Sequence, residues 1–337
     1  MGRFVPGNAP EIDRKIDEAI ASIGREIDAM HVPCLDGVVL AGGYGRGEGG
    51  VREQGTEKRL SNDLDFFVIA KEGASDADAV AMAAALEPVS RRWTEQLGID
   101  VDFTARTPWR IRHDVERLMI QELVRGFVDV AGRKGSELFA SVERRPAEAL
   151  PWMEAARLMM NRGMGLLFAK CKIENVECET GRQSAVESRM SVMERDFVNR
   201  NINKCILGAG DARLVAKGDY RWKALDRAAA LGDSLYSAAL EWKFHPTEKP
   251  VCDFERAREV WLEAMDEVAR SSRPSGDSMT SRSLRNAARW LVRRRTVGDL
   301  RTFALNPVVR VLESVARHVR DRREPESALM RDWEIFN

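Results

Sequence analysis

Residues 38–50 of the chain are VVLAGGYGRGEGG, and residues 63–69 are DLDFFVI. A third short run, IDVDF, occupies residues 99–103. Short apolar runs bounded by glycine or polar residues are typical of buried β-strands. The pattern therefore predicts three strands, with a glycine loop after the first and acidic residues where the other two begin.

The acidic residues of these runs are candidate metal ligands. Asp63 and Asp65 are two positions apart, so on a strand their side chains lie on the same face, where they repel unless a cation lies between them. Asp102 lies between the apolar residues Val101 and Phe103, as expected of a carboxylate on a central strand. Mg²⁺ prefers oxygen ligands of this kind. We therefore predict that Asp63, Asp65 and Asp102 are catalytic and metal-binding residues, with Asp102 also accepting the proton of an attacking hydroxyl.

The glycine loop is a candidate phosphate site. Gly42 and Gly43 allow the backbone to come close to a phosphate, and successive N–H groups can form a cradle for an anion. Arg46 in the same loop could bind a phosphate with two hydrogen bonds. We count Gly42, Gly43, Tyr44 and Arg46 as predicted nucleotide-binding residues. A flexible hairpin loop is an equally good interpretation of this loop taken alone.

Other glycine-rich motifs fit this region less well. Gly45, Gly47 and Gly50 have the spacing of the dinucleotide-binding fingerprint, with Asp65 at the expected distance beyond them. That motif requires a helix immediately after the turn. Residues 51–56, VREQGT, have no helical apolar period and contain a glycine, so the dinucleotide interpretation is disfavoured.

In their order along the chain, Gly42-Gly43, Asp63-Leu64-Asp65 and Asp102 resemble the DNA polymerase β-like nucleotidyltransferase superfamily. The resemblance covers roughly residues 12–132. It implies that Gly42 and Gly43 hold the nucleotide phosphates, and that the three aspartates bind two Mg²⁺ ions. The interval between Gly43 and Asp63 is longer than is usual in that family, so residues 49–60 are interpreted as an inserted loop.

The chain divides into a mixed front half and a helical back half. We predict an α+β protein with a small mixed-sheet nucleotidyltransferase domain at residues 1–145 and an all-α helical-bundle domain at residues 146–337. In the front half, residues 42–62 are predicted to be mostly loop. The helical segments are predicted from apolar periodicity, proline positions and caps. They cover residues 10–30, 75–97, 108–119, 152–173, 184–216, 222–242, 253–271, 281–295 and 307–323, with a break at Gly208-Ala209-Gly210.

The back half contains one further candidate for nucleotide binding. It resembles the helical domain that closes over the nucleotide in bacterial nucleotidyltransferases. Lys204 and Asp211 are seven residues apart and share a face if their helix is continuous. Lys204 is interpreted as a contact to the triphosphate, where a cation would stabilise developing charge. An ordinary ion pair or a solvated lysine is the more common situation.

Composition excludes several classes of protein. The 337 residues contain 53 Lys+Arg and 53 Asp+Glu, so the net charge indicates no partner. The five cysteines form no C-x-x-C pair, which argues against a disulfide framework or a zinc site. With no apolar run long enough to span a membrane, we expect a cytoplasmic protein with no membrane partner.

The segment 282–323 is rich in arginine. It contains twelve arginines and three acidic residues. A solvated helical face explains this composition better than binding to nucleic acid, because aromatic residues are not interleaved with the arginines. Nucleic acid is therefore the less favoured partner.

These observations predict a Mg²⁺-dependent, ATP- or other NTP-binding nucleotidyltransferase. It would move a nucleoside monophosphate from an NTP to an acceptor hydroxyl or phosphate and release pyrophosphate. The acceptor is left open among a small molecule, a protein and RNA. The alternatives are a regulatory protein that binds a nucleotide without turnover, and a transferase directed to nucleic acid.

Overall fold

The computed structural model of the chain describes residues 2–7, 9–55, 57–180, 190–271 and 307–336. The chain forms two compact units. The first comprises Met1–Ala149 and Glu241–Thr247, and the second comprises Leu150–Leu240 and Glu248–Asn337. The cysteines at 34, 171, 205 and 252 are free thiols.

The first unit combines strands with helices. Its elements in chain order are α1 (Pro10–Met30), β1 (Leu35–Leu40), α2 (Gly42–Gly45), β2 (Val51–Gln54), β3 (Glu57–Leu60), β4 (Leu64–Ala70), α3 (Asp76–Leu97), β5 (Val101–Arg106), α4 (Pro108–His113), α5 (Leu118–Leu123), β6 (Val128–Gly132), α6 (Gly135–Leu138) and a 3₁₀ turn (Ala147–Ala149).

The two long helices of this unit follow from local sequence signals. Helix α1 begins at Pro10 and buries five isoleucines at three- and four-residue intervals, which forms one apolar face. Helix α3 is capped by Ser75, whose hydroxyl accepts the Asp78 N–H while the Asp78 carboxylate accepts the Ser75 N–H. It ends at Gly98, which has the left-handed backbone conformation usual at this position. The sequence predictions for both helices are confirmed.

A four-stranded mixed sheet lies at the centre of the unit, in the order β5-β4-β1-β6. Strand β4 runs parallel to β5, whereas β1 is antiparallel to both β4 and β6. Alternate residues of β4 enter two different cores. Leu64, Phe66 and Val68 pack with α1 and α3, and Phe67 and Ile69 pack on the other face with residues of α4, α5 and α6. Because both faces are covered, the central strands are almost continuously apolar.

The prediction that residues 42–62 are mostly loop is wrong. A short helical turn, α2, follows β1 directly, and β2 and β3 form an antiparallel hairpin with Val51 paired to Leu60. This hairpin occupies most of the predicted inserted loop. Val51 and Leu60 are its buried apolar ends, and charged residues fill most of the positions between them. Apolar alternation was therefore too weak to reveal the strands.

The second unit is helical throughout its described residues. Its elements are α7 (Trp152–Thr180), α8 (Val192–Lys217), α9 (Ala224–Leu231), α10 (Ser234–Phe244), α11 (Phe254–Arg270), α12 (Pro307–Asp321) and α13 (Ser327–Phe336). The last four residues of α10, 241–244, group with the first unit. The predicted helix at 281–295 and much of the arginine-rich segment lie outside the described residues.

The prediction of a break at Gly208-Ala209-Gly210 is wrong, because α8 runs through it without interruption. These glycines serve close packing instead. A Cβ at Gly208 would overlap the Arg162 side chain, and a Cβ at Gly210 would overlap the Tyr236 ring. Glycine costs helix stability, and here the cost is offset by contacts that a larger residue would prevent.

Two other predicted helices are each divided in two. The segment predicted at 108–119 contains α4, which ends before Asp114, and the start of α5. The segment predicted at 222–242 contains α9 and most of α10, separated by Gly232 in the left-handed conformation. Helix α13 was not predicted.

The fold is therefore a mixed α+β arrangement with one small mixed sheet, as the sequence predicted at this coarse level. No helix in the described part of the chain is both long enough and apolar enough to cross a bilayer.

The packing at Gly210 can be tested by replacing it with alanine. If the glycine only weakened the helix, Gly210→Ala would stabilise the protein by about 1 kcal/mol. We expect the opposite effect, a decrease of about 1–3 kcal/mol in the free energy of unfolding, because the new methyl group must displace Tyr236. Urea unfolding followed by circular dichroism measures the sign, and a stabilised variant would contradict the close-packing interpretation.

Candidate active site at the start of strands β4 and β5

Strand pairing brings two of the predicted acidic residues side by side. In the parallel pair β4–β5, Asp65 is the register partner of Asp102, and Leu64 is the partner of Val101. Neighbouring strands lie about 4.8 Å apart, so the backbones of the two aspartates are immediate neighbours. Asp63 precedes β4 by one residue. The carboxylates thus belong to adjacent strand ends.

The carboxylates of Asp65 and Asp102 also share a face of the sheet. On β4, Asp65 lies between Leu64 and Phe66, both of which point to the α1–α3 side. On β5, Val101 points to that same side, so Asp102 points to the opposite one. Asp65 is half-buried and Asp102 is exposed, so a ligand can reach this end of the sheet.

The glycine turn lies directly against Asp65. Strand β1 is antiparallel to β4, so its end meets the beginning of β4, and the Ala41 N–H donates to the Asp65 carbonyl at 2.8 Å. Gly42 follows with φ +60°, and a Cβ there would overlap the Asp65 carboxylate. Both the backbone conformation and the contact require glycine at this position. The predicted phosphate turn and the predicted metal ligands are therefore adjacent.

The surroundings of Asp102 change the pKa of its carboxyl group. The pKa of Asp102 is raised above its usual value, first by desolvation and then by the negative charges of Asp100, Asp63 and Glu87. The contribution of Asp63 indicates that it lies close enough to Asp102 for their charges to interact. A raised carboxyl pKa means that the ionised form is disfavoured here. A bound cation would stabilise that ionised form.

Two side chains of α3 hold the start of β5 in place. The Thr94 hydroxyl accepts the Val101 N–H at 3.0 Å, and the Ser90 hydroxyl donates to the Val101 carbonyl at 2.6 Å. The Leu64 N–H donates to the Asp100 carbonyl at 2.9 Å, which joins the two strand ends. Sequence reasoning missed Ser90 and Thr94. Their spacing of four residues on the helix was the available signal.

Tyr44, predicted as a nucleotide-binding residue, is fully buried. Its hydroxyl donates to the Gly50 carbonyl at 2.7 Å and accepts the N–H groups of Ser61 and Asn62 at 3.1 and 3.4 Å. The Gly50 N–H in turn donates to the Asn62 side chain at 2.5 Å. These bonds join the end of the glycine loop to the residues just before Asp63, so the observed role of the Tyr44 side chain is to hold the loop.

Arg46 lies in a cluster of ion pairs next to the glycine turn. Its guanidinium is 3.5 Å from the Glu48 carboxylate and 3.4 Å from that of Glu122. Lys243 is 3.8 Å from the same Glu48 carboxylate, and the Glu48 N–H donates to the Gly43 carbonyl at 2.8 Å. Two cations and two carboxylates are thus gathered here. Glu122 and Lys243 are distant in sequence from the glycine loop, whereas Glu48 lies within it, and sequence reasoning missed all three.

The last predicted nucleotide-binding residue belongs to the second unit. Lys204 is exposed on α8, and its contact with a triphosphate stays a prediction. Asp211, on the same helix, is 2.9 Å from the Arg227 guanidinium and accepts a hydrogen bond from the Tyr236 hydroxyl at 2.7 Å. Asp211 therefore forms an ordinary structural ion pair, which was the alternative interpretation given to these residues.

Metal binding by the three aspartates depends on how closely their side chains come together. Within the described ranges, no group of three or more His, Cys, Asp and Glu side chains that could hold a metal ion is found. Mg²⁺ needs fewer ligands from the protein, since it usually keeps several waters and binds through one or two carboxylates plus substrate phosphates. Asp65 and Asp102, as register partners on one face, fit that donor set. Metal binding by Asp63, Asp65 and Asp102 stays a prediction.

Comparisons with family models, with curated proteins and with solved structures found no match to this chain.

The role of Tyr44 predicts the result of a single substitution. Tyr44→Phe keeps the ring but removes the hydroxyl that binds the Gly50 carbonyl and the Ser61 N–H, which keep only their bond to each other at 3.3 Å. We expect a loss of about 0.5–1.5 kcal/mol in the free energy of unfolding, as for a typical hydrogen bond. Urea denaturation measures it. A variant as stable as the wild type would show that the hydroxyl does not hold the loop.

The raised pKa of Asp102 predicts that replacing this residue increases the stability of the protein, and that the increase depends on pH. The folded protein holds this proton more tightly than the unfolded chain, so stability is lost as pH rises through the raised value. Asp102→Asn should therefore raise Tm at pH 7, and should give no gain in Tm below the usual aspartate pKa of about 3.9, where the carboxyl is protonated in both states.

A second acidic residue provides the matched control. The pKa of Asp78 is lowered by its hydrogen bond from Ser75, so its ionised form stabilises the fold at neutral pH. Asp78→Asn should lower Tm at pH 7. If both variants shift Tm in the same direction, the proposed electrostatic cost at Asp102 is wrong.

Proposed function

We propose that the chain is a Mg²⁺-dependent nucleotidyltransferase related to the DNA polymerase β-like superfamily. The observation that carries the proposal is the position of Gly42 against the Asp65 carboxylate, with Asp102 paired to Asp65 on the next strand. A turn able to receive phosphates and acidic residues able to bind a metal thus meet at one end of the sheet. The order of these elements along the chain is the order in that superfamily.

In this proposal, the backbone of Gly42 and Gly43 receives the phosphates of the NTP. Both glycines are partly exposed, and the first N–H groups of a helical turn have no partner within the turn. Arg46 keeps positive charge next to the turn, and its ion pairs with Glu48 and Glu122 hold it there. Buried hydrogen bonds of Tyr44 hold the loop in place, so little ordering is required when the nucleotide binds.

Asp102 is the residue proposed to act on the acceptor. Its side chain is exposed, which leaves the carboxylate within reach of an incoming hydroxyl. The acceptor oxygen attacks the α-phosphorus in line with the bond to the β-phosphate, which breaks and releases pyrophosphate. Asp102 takes the proton of the acceptor hydroxyl. Mg²⁺ held by Asp63, Asp65 and Asp102 would stabilise the charge on the entering and leaving oxygens.

The decisive experiment removes the two acidic residues at the start of β4, Asp63 and Asp65. Wild-type protein is incubated with each α-labelled NTP, Mg²⁺ and a small-molecule extract as the acceptor source, and transfer of label and release of pyrophosphate are measured. Asp63→Asn together with Asp65→Asn should reduce transfer at least about 1,000-fold, since metal stabilisation contributes several kcal/mol.

The chain offers a matched control with the same spacing of acids. Asp76 and Asp78 at the start of α3 form ordinary structural bonds, to Arg110 and Ser75. Asp76→Asn together with Asp78→Asn should leave transfer within about twofold of the wild type if the variant is folded. Transfer that survives in the Asp63/Asp65 variant would overturn the assignment. Binding of NTP by calorimetry without transfer to any acceptor would instead favour the regulatory alternative.

A further inference from the structure

Residues 3–5 of the chain pack inside the first unit, next to the glycine loop. The side chains of Phe4 and Val5 are buried, with 0% and 1% of their surface exposed. Both belong to the core on the α1–α3 side of the sheet, which also contains Tyr44 and the buried isoleucines of α1. This segment is therefore an integral part of the fold around the loop.

The segment forms a direct hydrogen bond to the glycine loop. The Gly49 N–H donates to the Phe4 carbonyl at 3.0 Å. The loop needs small residues where it approaches its neighbours, because a Cβ at Gly47 would lie 3.2 Å from the Arg3 carbonyl, and a Cβ at Gly49 would overlap the Tyr44 ring. These two glycines are explained by packing within the protein, without a phosphate.

The end of the loop, residues 48–50, is held by three consecutive N–H groups. Their acceptors are the Gly43 carbonyl for Glu48 at 2.8 Å, the Phe4 carbonyl for Gly49, and the Asn62 side chain for Gly50 at 2.5 Å. Gly43 and Asn62 belong to the same stretch of chain as the loop, whereas Phe4 comes from a separate part. The Phe4 carbonyl thus anchors a segment whose neighbouring bond, from Glu48, holds the turn at Gly43.

Asp13 of α1 holds residues 3–5 in place. Its carboxylate accepts the Arg3 N–H at 2.8 Å and the Phe4 N–H at 3.0 Å. Asp13 lies in the first turn of α1, directly after the buried Ile12, so the helix determines where its side chain lies. Hydrogen bonds to a carboxylate are stronger than those between neutral groups. Two such bonds to consecutive N–H groups restrain the backbone at Phe4, whose carbonyl binds the loop.

We propose that Asp13 is a positioning residue for the nucleotide. It acts through Phe4 on the end of the glycine loop, and through the Glu48 N–H on the turn that is proposed to receive the phosphates. This role rests on the proposed function for the identity of the ligand, and on the contacts alone for the position of the loop. Because Asp13 acts on the loop and not on the acidic strand ends, its loss should weaken binding of the NTP and leave the chemical step unchanged.

The position of the loop is tested first, by hydrogen exchange of the full-length protein without nucleotide or metal. Asp13→Ala removes both acceptor oxygens. Peptides that cover residues 42–50 should exchange at least about tenfold faster than in the wild type, because the loop opens more often, and peptides that cover β4 should stay within about twofold. Asp13→Asn keeps one acceptor oxygen and should give an intermediate rate.

The same helix provides a matched control. Asp17 lies one turn after Asp13 and forms an exposed ion pair with the Arg3 side chain. Asp17→Ala therefore removes a contact between α1 and residues 3–5 while both acceptor oxygens of Asp13 remain. The exchange of residues 42–50 and the affinity for NTP should both stay within about twofold of the wild type, since exposed ion pairs contribute little.

Binding of the nucleotide is measured next, by calorimetry with each NTP in the presence of Mg²⁺. For the NTP that binds the wild type most tightly, Asp13→Ala should weaken binding about tenfold. In the transfer assay, the same variant should raise the KM for NTP about tenfold and leave kcat within about twofold of the wild type.

The possible outcomes separate this inference from the proposed function. Unchanged exchange of residues 42–50 in Asp13→Ala, or an equal change in Asp17→Ala, would show that Asp13 does not hold the loop. Faster exchange with unchanged NTP affinity, or a fall in kcat at constant KM, would exclude a role in positioning the nucleotide. If no NTP binds to the wild type, the proposed function fails, and the exchange rates still decide whether Asp13 holds the loop.

Discussion

The parallel pairing of β4 with β5 sets Asp65 beside Asp102, and the candidate site depends on this pairing. Asp63 and Asp100 lie within electrostatic reach of the same position, so negative charge accumulates at one end of the sheet. Water screens such repulsion only partly when the groups are desolvated by neighbouring atoms. The pKa of Asp102 is raised first by desolvation and then by this repulsion, so the fold holds these residues together at an electrostatic cost.

Backbone contacts hold this arrangement in place. Ser90 and Thr94 both bind the backbone of Val101, which fixes the start of β5 against α3. Tyr44 binds the backbone at Gly50 and Ser61, which fixes the glycine loop against the approach to β4. Because these hydroxyls act on the backbone, they position the acidic strand ends without competing for a ligand at the carboxylates. A site held in this way is preorganised for a charged ligand.

Local sequence determined a large part of the first unit. The helices at Pro10–Met30 and Asp76–Leu97 and the strand at Leu64–Ala70 were all predicted, because periodicity and caps act over a few residues. The acidic residues were recognised for the same reason, since Asp63 and Asp65 share a face on any strand. The continuous α8 could not be predicted, because the glycines at 208 and 210 are explained by Arg162 and Tyr236, which are distant in sequence.

The sequence by itself therefore determined that β1, β4 and β5 are strands and that acidic side chains lie at the start of β4 and β5, but it did not reveal the β2–β3 hairpin. Only the tertiary structure decided that Asp65 and Asp102 are register partners, that Gly42 touches the Asp65 carboxylate, and that Tyr44 holds the loop. The physical reason is that register and close contact are set by packing between segments that are far apart in the chain. No pattern within one segment contains that information.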